Sequence, residues 1–247
     1  MHDVSPTVFS HARPYALNLR LAGKPVLVVG AGHVAVRKVS QLLVSGAKVT
    51  VVGPHVDSRL RDLAATSGET TPGSVVVEQR RYATGEVMDY TLALTCTDDP
   101  DVNRRVHDDG VTAGVWVNSA DDPENCEFTL PSVVRTGDLQ IAVSTEGRSP
   151  ALAMYLRRRF EAEFDHRWAE LLDVLADVRD EVRAHGGTSE VAGWQEAIDA
   201  GLLDLVGRGE IDAVRDHVRE HVGLGTNAES SPAGERGRQR PKEGTTS

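Results

Sequence analysis

Residues 30–35 read Gly-Ala-Gly-His-Val-Ala, a G-x-G-x-x-A spacing suited to holding a pyrophosphate. In that chemistry Gly30 permits a tight turn and Gly32 lets backbone approach the anion. Ala35 is small enough for close helix–sheet packing, and the following helix points its positive N-terminus at the ligand. Short glycine turns are common, so the pattern has meaning only between a strand and a helix. Val26–Val29 supplies a buried strand and Val34–Val44 an apolar-periodic helix. A second strand follows at Lys48–Val52, which completes the setting of a dinucleotide site.

The elements that must position this turn continue the alternation. Further strands are expected at Val75–Gln79, Thr91–Cys96 and Gly114–Asn118, with helices at Val56–Ser67 and Pro100–Gly110 between them. Strands alternating with helices imply right-handed crossovers and a mostly parallel sheet. The polar stretch Thr66–Ser74 reads as a surface loop. After Asn118 the pattern changes. Glu127–Val134 and Leu139–Val143 read as an antiparallel hairpin around Arg-Thr-Gly-Asp 135–138. Ser149-Pro150 opens a helix to Phe164, with Ser as N-cap and Pro at the first helical position. A second helix, Trp168–Ala184, carries Leu171, Leu172, Leu175, Val178 and Val182 at helical spacing and stops at Gly186-Gly187. Two short helices are expected at Val191–Ala200 and Ile211–Val222.

Composition bounds the function. The chain has 247 residues, 40% of them hydrophobic, and a net charge of -10. It has room for a main domain and a smaller one. The acidic balance speaks against a general nucleic-acid surface, so an acidic substrate needs a local basic patch. No apolar run reaches membrane-spanning length, and residues 1–14 lack a signal-peptide pattern. Two cysteines, Cys96 and Cys126, make no disulfide framework and fit a reducing, cytoplasmic setting. His217 and His221 are four apart but lack a third ligand, so no metal site is assigned.

Several segments then resemble one family in a fixed order. Val28-Val-Gly-Ala-Gly-His-Val-Ala-Val-Arg-Lys38 with Gly46–Val52 resembles the precorrin-2 dehydrogenases, which also form the first part of siroheme synthases. Thr95-Cys-Thr-Asp-Asp99 with Val102-Asn103, then Val117-Asn-Ser-Ala-Asp-Asp-Pro123, are similar to later family segments. Phe128–Pro131, Ile141–Ser144 and Gly147–Pro150 resemble its hairpin and the helix beyond. The likeness covers Tyr15 to Phe164. It implies NAD-dependent oxidation of precorrin-2 to sirohydrochlorin, in some members also insertion of ferrous iron, and a homodimer. The fold class is then α/β. A Rossmann domain (15–118) precedes a dimerisation and substrate region of hairpin and helix (119–164). A helical region (165–225) follows, between a flexible leader (1–14) and a disordered tail (226–247).

The resemblance places the essential aspartate at Asp121, just after the fifth strand, with Asp122 its near neighbour. Read without it, Asp121 is better explained as an ordinary turn former in Asn-Ser-Ala-Asp-Asp-Pro. Cofactor contacts are expected from Gly30, Gly32, His33 and Val34, from Pro54 and His55 near the adenosine ribose, and from Thr97. The acid that often ends the second strand is missing, since Val52-Gly53-Pro54 stands there with no Arg either. Only the family analogy favours NAD over NADP. The implied tetrapyrrole is edged with carboxylates, which guanidinium groups bind in a fork. Arg148 leads, ahead of Arg135 and Arg157–Arg159. Asn118, Ser144 and Thr145 complete the substrate-binding set. Thr145 and Glu146 stand where the family often has Ser and Gly, and Glu146 adds a negative charge beside an anionic ligand. Two rivals stay open: a nucleotide-sensing regulatory Rossmann module without catalysis, and a dehydrogenase for another small molecule.

Overall fold

The computed structural model describes residues 14–120, 122, 125–187 and 193–225. The expected tail lies outside them, as does the leader up to residue 13. The described chain forms two compact units, one ending at Leu130 and the other beginning at Pro131.

The first unit is a five-stranded parallel sheet in the order β3-β2-β1-β4-β5. Its strands are β1 (Pro25–Val29), β2 (Lys48–Val52), β3 (Ser74–Glu78), β4 (Leu92–Thr95) and β5 (Trp116–Ser119). The helices are α1 (His33–Val44), α2 (Ser58–Thr66) and α3 (Pro100–Ala113). Alternation along β1 divides its side chains between two cores. Val26 and Val28 pack with Val39, Leu43 and Leu60, while Leu27 and Val29 pack with Val106 and Val117. Both faces are covered, which is why these strands read as unbroken apolar runs. The strand order switches from one side of β1 to the other between β1 and β4, which pair in parallel from Val26↔Leu92 to Val29↔Thr95. In such sheets the crevice at the carboxyl ends of the strands at that switch is where ligands bind.

The second unit begins with an antiparallel hairpin, β6 (Ser132–Thr136) and β7 (Leu139–Val143). Thr136 pairs with Leu139, so the turn is the two residues Gly137-Asp138, with Gly137 at φ 56°. Helix α4 (Pro150–Glu163) packs on this hairpin. Helix α5 (His166–Ala184) then forms a bundle with α6 (Trp194–Asp199), α7 (Leu202–Gly207) and α8 (Ile211–His221). Leu171, Val174, Val178 and Val182 of α5 bury against Leu202, Val206, Val214 and Val218. No helix among the described residues is long and apolar enough to cross a membrane.

Three expectations need correcting. The strand expected at Glu127–Val134 is confined to Ser132–Thr136. Pro131 has no N–H for a ladder, and Glu127 instead serves the edge of β5 through both its backbone and its carboxylate. Helix α3 runs on past Gly110 to Ala113, because the left-handed cap is Gly114 at φ 69°. Where two short helices were expected at the C-terminal end there are three among the described residues, since Leu202–Gly207 forms one of its own. Of the segment expected to be helical from Val191, residues 191 and 192 lie outside the described residues.

Candidate functional site

The glycine turn closes against the crevice. Gly30 has φ 101°, and its N–H donates to the Val52 carbonyl at 2.8 Å. A Cβ at this position would come within 2.4 Å of the Cys96 carbonyl oxygen and 2.8 Å of the Thr97 nitrogen. Glycine at 30 is therefore required by the fold itself. Gly32 differs. As N-cap of α1 it has φ -90°, open to any residue, and a Cβ there would meet nothing within 4 Å. The fold has no need of glycine at 32, yet glycine keeps the space before the helix clear. The α1 N-terminus has no side-chain cap and no acidic residue in its first turn. Its amides are left for an outside acceptor, and its dipole favours an anion. Gly32 and His33 are exposed and Val34 is half-buried. These features fit a pyrophosphate.

Pro54 and His55 are exposed beyond β2. Thr97 lies across the crevice, where its hydroxyl accepts from the Asp99 N–H at 3.2 Å. The Asn103 amide nitrogen donates to the Thr97 carbonyl at 3.2 Å. Asn103 Oδ1 is buried with no partner among the described residues. Cys96 sits beneath the turn, and burial pushes its thiol up to about 11, which keeps it protonated and unreactive at neutral pH.

Asp121 lies outside the described residues, but both of its flanks are held. The Ala120 N–H donates to the Thr95 carbonyl at 3.0 Å, and the Asp122 N–H to the Ser119 carbonyl at 3.4 Å. Below them, the Thr95 and Ser119 hydroxyls form a buried hydrogen bond of 2.9 Å. Asp122 is engaged in the turn, its carboxylate accepting from the Asn125 amide at 2.6 Å. Cys126 closes the loop. Its sulfur accepts from the Ser119 N–H at 3.2 Å, and the thiol lies 3.3 Å from both the Ser119 and Asp122 carbonyls. Glu127 accepts from the Val117 N–H at 2.7 Å and lies 2.9 Å from His107 Nε2. Asn118, expected at the substrate, is buried, and its amide donates to the Phe128 carbonyl at 2.8 Å. It works as a strut of the loop.

In the second unit Ser144, Thr145 and Arg148 share one turn before α4. The Thr145 hydroxyl donates to the Ser149 carbonyl and accepts the Ser149 N–H, at 3.1 and 3.2 Å. Ser149 caps α4 by accepting the Leu152 N–H at 3.2 Å. Ser144 Oγ accepts the Glu146 N–H at 3.2 Å. The Arg148 side chain is exposed. Among the described residues Glu146 is the one non-glycine residue with positive φ, at 54°. The His217 and His221 rings stack at 4.2 Å, and His221 Nδ1 lies 2.9 Å from the His217 carbonyl. No group of three or more potential metal ligands occurs among the described residues.

The residues that sequence reasoning passed over are Cys126, Glu127 and His107. Cys126 was noted only as an unpaired cysteine, and nothing local signals that it folds back onto β5.

A family model described as "Putative NAD(P)-binding" matches residues 17–132, and one described as "Sirohaem biosynthesis protein central" matches residues 136–163. A siroheme synthase of Nitrosococcus oceani is 33% identical over 199 residues, 80% of this chain and 41% of that protein. One from Nitrosomonas europaea is 32% identical over 224 residues, 90% of this chain and 45% of that protein. The chain thus spans less than half the length of these curated relatives. Among solved structures, "SirC, precorrin-2 dehydrogenase" has the same fold, with a TM-score of 0.59 at 23% identity, covering 85% of this chain and 98% of that one.

Proposed function

We propose that this chain, which is similar to siroheme synthases over its NAD(P)-binding and central segments, is a precorrin-2 dehydrogenase. The reaction is oxidation of precorrin-2 to sirohydrochlorin with NAD, in the cytoplasm and in a homodimer. The observation that carries the reading is Gly32: a glycine unneeded by the fold, holding open the space before an uncapped helix N-terminus. It supports a bound dinucleotide at the strand-order reversal, beside the loop that carries Asp121.

Bound in the cradle before α1, NAD would supply a hydride acceptor for the oxidation of a ring carbon of precorrin-2. The oxidation also releases a proton, and Asp121 is assigned to take it. The same carboxylate would assist removal of pyrrole N–H protons if sirohydrochlorin then takes up ferrous iron as a substrate. The assignment to Asp121, not Asp122, is supported by the Asn125 amide held on the Asp122 carboxylate. Arg148 is assigned to a substrate carboxylate. His33, Val34, Pro54, His55 and Thr97 are assigned to the cofactor.

The variant Asp121→Asn tests the reading. It is expected to keep the fold and bind NAD like the wild type, while turnover falls by about 100-fold or more. Near-normal turnover would remove Asp121 from the mechanism. An assay of sirohydrochlorin with ferrous ion decides the chelatase activity separately.

A further inference from the structure

The ribose end of the cofactor crevice lacks the usual acid, and the structure supplies a reason. A Cβ on Gly53 would lie 2.8 Å from the Ala31 Cβ and 2.9 Å from the Ala31 nitrogen. A side chain there would displace the glycine turn, so the end of β2 cannot carry a carboxylate at that position. The chain then folds back on the same turn, and the Asp57 N–H donates to the Ala31 carbonyl at 2.9 Å. This bond sets Asp57 on the rim of the cradle, at Ala31, one residue from the turn glycine Gly32.

The Asp57 carboxylate is already ordered. It accepts the Arg59 N–H at 3.0 Å as the N-cap of α2, and it pairs in a fork with the Arg59 guanidinium at 3.0 and 2.6 Å. Like an ordinary aspartate it is an acceptor-only anion at physiological pH, and the Arg59 guanidinium beside it holds its pKa lower still, at about 2. Gln79, just past β3, donates to the Pro54 carbonyl at 3.2 Å and accepts from Arg61 at 3.1 Å. Cations therefore stand near this rim, although none follows β2 directly in sequence.

We propose that Asp57 replaces the missing strand-end acid, accepting hydrogen bonds from the adenosine ribose hydroxyls and selecting a dinucleotide without a 2′-phosphate. A ribose hydroxyl can donate to a carboxylate, whereas a 2′-phosphate would meet like charge across a short distance. Arg59 acts as a positioning residue that keeps the carboxylate oriented. This inference rests on the dinucleotide reading above.

The test is isothermal titration calorimetry of the full chain with NAD and with NADP, comparing wild type with Asp57→Asn. Asn is as good an N-cap as Asp, so helix α2 is preserved. Asp57→Ser, also a good cap, is the second variant. The wild type is expected to bind NAD about tenfold or more tightly than NADP, the worth of a hydrogen bond to a charged group. Either variant is expected to weaken NAD by about tenfold and bring the two nucleotides to near parity. An unchanged NAD-to-NADP ratio in both variants, or a wild type that prefers NADP through Arg59 and Arg61, would overturn the proposal while leaving dinucleotide binding in place. Binding of neither nucleotide by the wild type would overturn it together with the reading beneath it.

Discussion

At the scale of single residues, the two glycines of the turn separate fold from function. Gly30 is fixed by its φ of 101° and by a Cβ site 2.4 Å from the Cys96 carbonyl oxygen. Gly30→Ala is expected to destabilise the protein by about 2 kcal/mol or more, from strained backbone and a clash with main chain. Gly32→Ala meets no protein atom within 4 Å. It is expected to shift stability by less than about 1 kcal/mol while sharply weakening NAD. Thermal melts with nucleotide titrations on both variants check the contrast. Equal loss of stability in the two would mean that Gly32 serves the fold. Both glycines were legible in the sequence because strand, turn and helix are local. Asn118 shows the limit. Its place in the fifth strand was readable, but its partner, the Phe128 carbonyl, comes from a chain reversal that no local pattern announces.

At the scale of elements, the loop after β5 is the part that sequence reading described least well. Alternating apolar residues made Glu127–Val134 look like a strand. The structure uses Cys126 and Glu127 to fasten the loop to β5 and starts β6 only at Ser132. The same fastening carries the first unit on to Leu130, past Asn118 where the alternation of strands and helices ends. Helix α7 was missed because six residues between Gly201 and Arg208 are too few to show a period. The loop carries a prediction of its own. Cys126→Ala leaves the Ser119 N–H without its sulfur acceptor and frees the segment that flanks residue 121. It is expected to lower kcat about tenfold with NAD affinity unchanged, and Cys126→Ser is expected to recover most of the loss. Steady-state kinetics and nucleotide titration check this; a parallel loss of NAD affinity would point to general unfolding instead.

At the scale of the whole molecule, the broad architecture was readable from composition and order: strands alternating with helices, then a hairpin, then helices. A homodimer came from the family resemblance alone, because association depends on which side chains the fold leaves uncovered. In the second unit, α4 exposes Leu152, Met154 and Tyr155 at 48%, 45% and 56%. Three large apolar side chains on one short stretch of helix mark a surface suited to burial against another chain. Tyr155→Glu is expected to convert the proposed homodimer to monomer in sedimentation velocity, and a wild type that is monomeric at micromolar concentration would remove the dimer from the account. The central claim is the reaction itself. The most direct measurement is anaerobic incubation of the protein with precorrin-2 and NAD, following NADH in the near ultraviolet and sirohydrochlorin in the visible. Both are expected to appear together, one NADH for each sirohydrochlorin, at rates proportional to enzyme. Nucleotide binding with neither product formed, under conditions where a control dehydrogenase turns over, would contradict the claim and leave a nucleotide-sensing module as the better description.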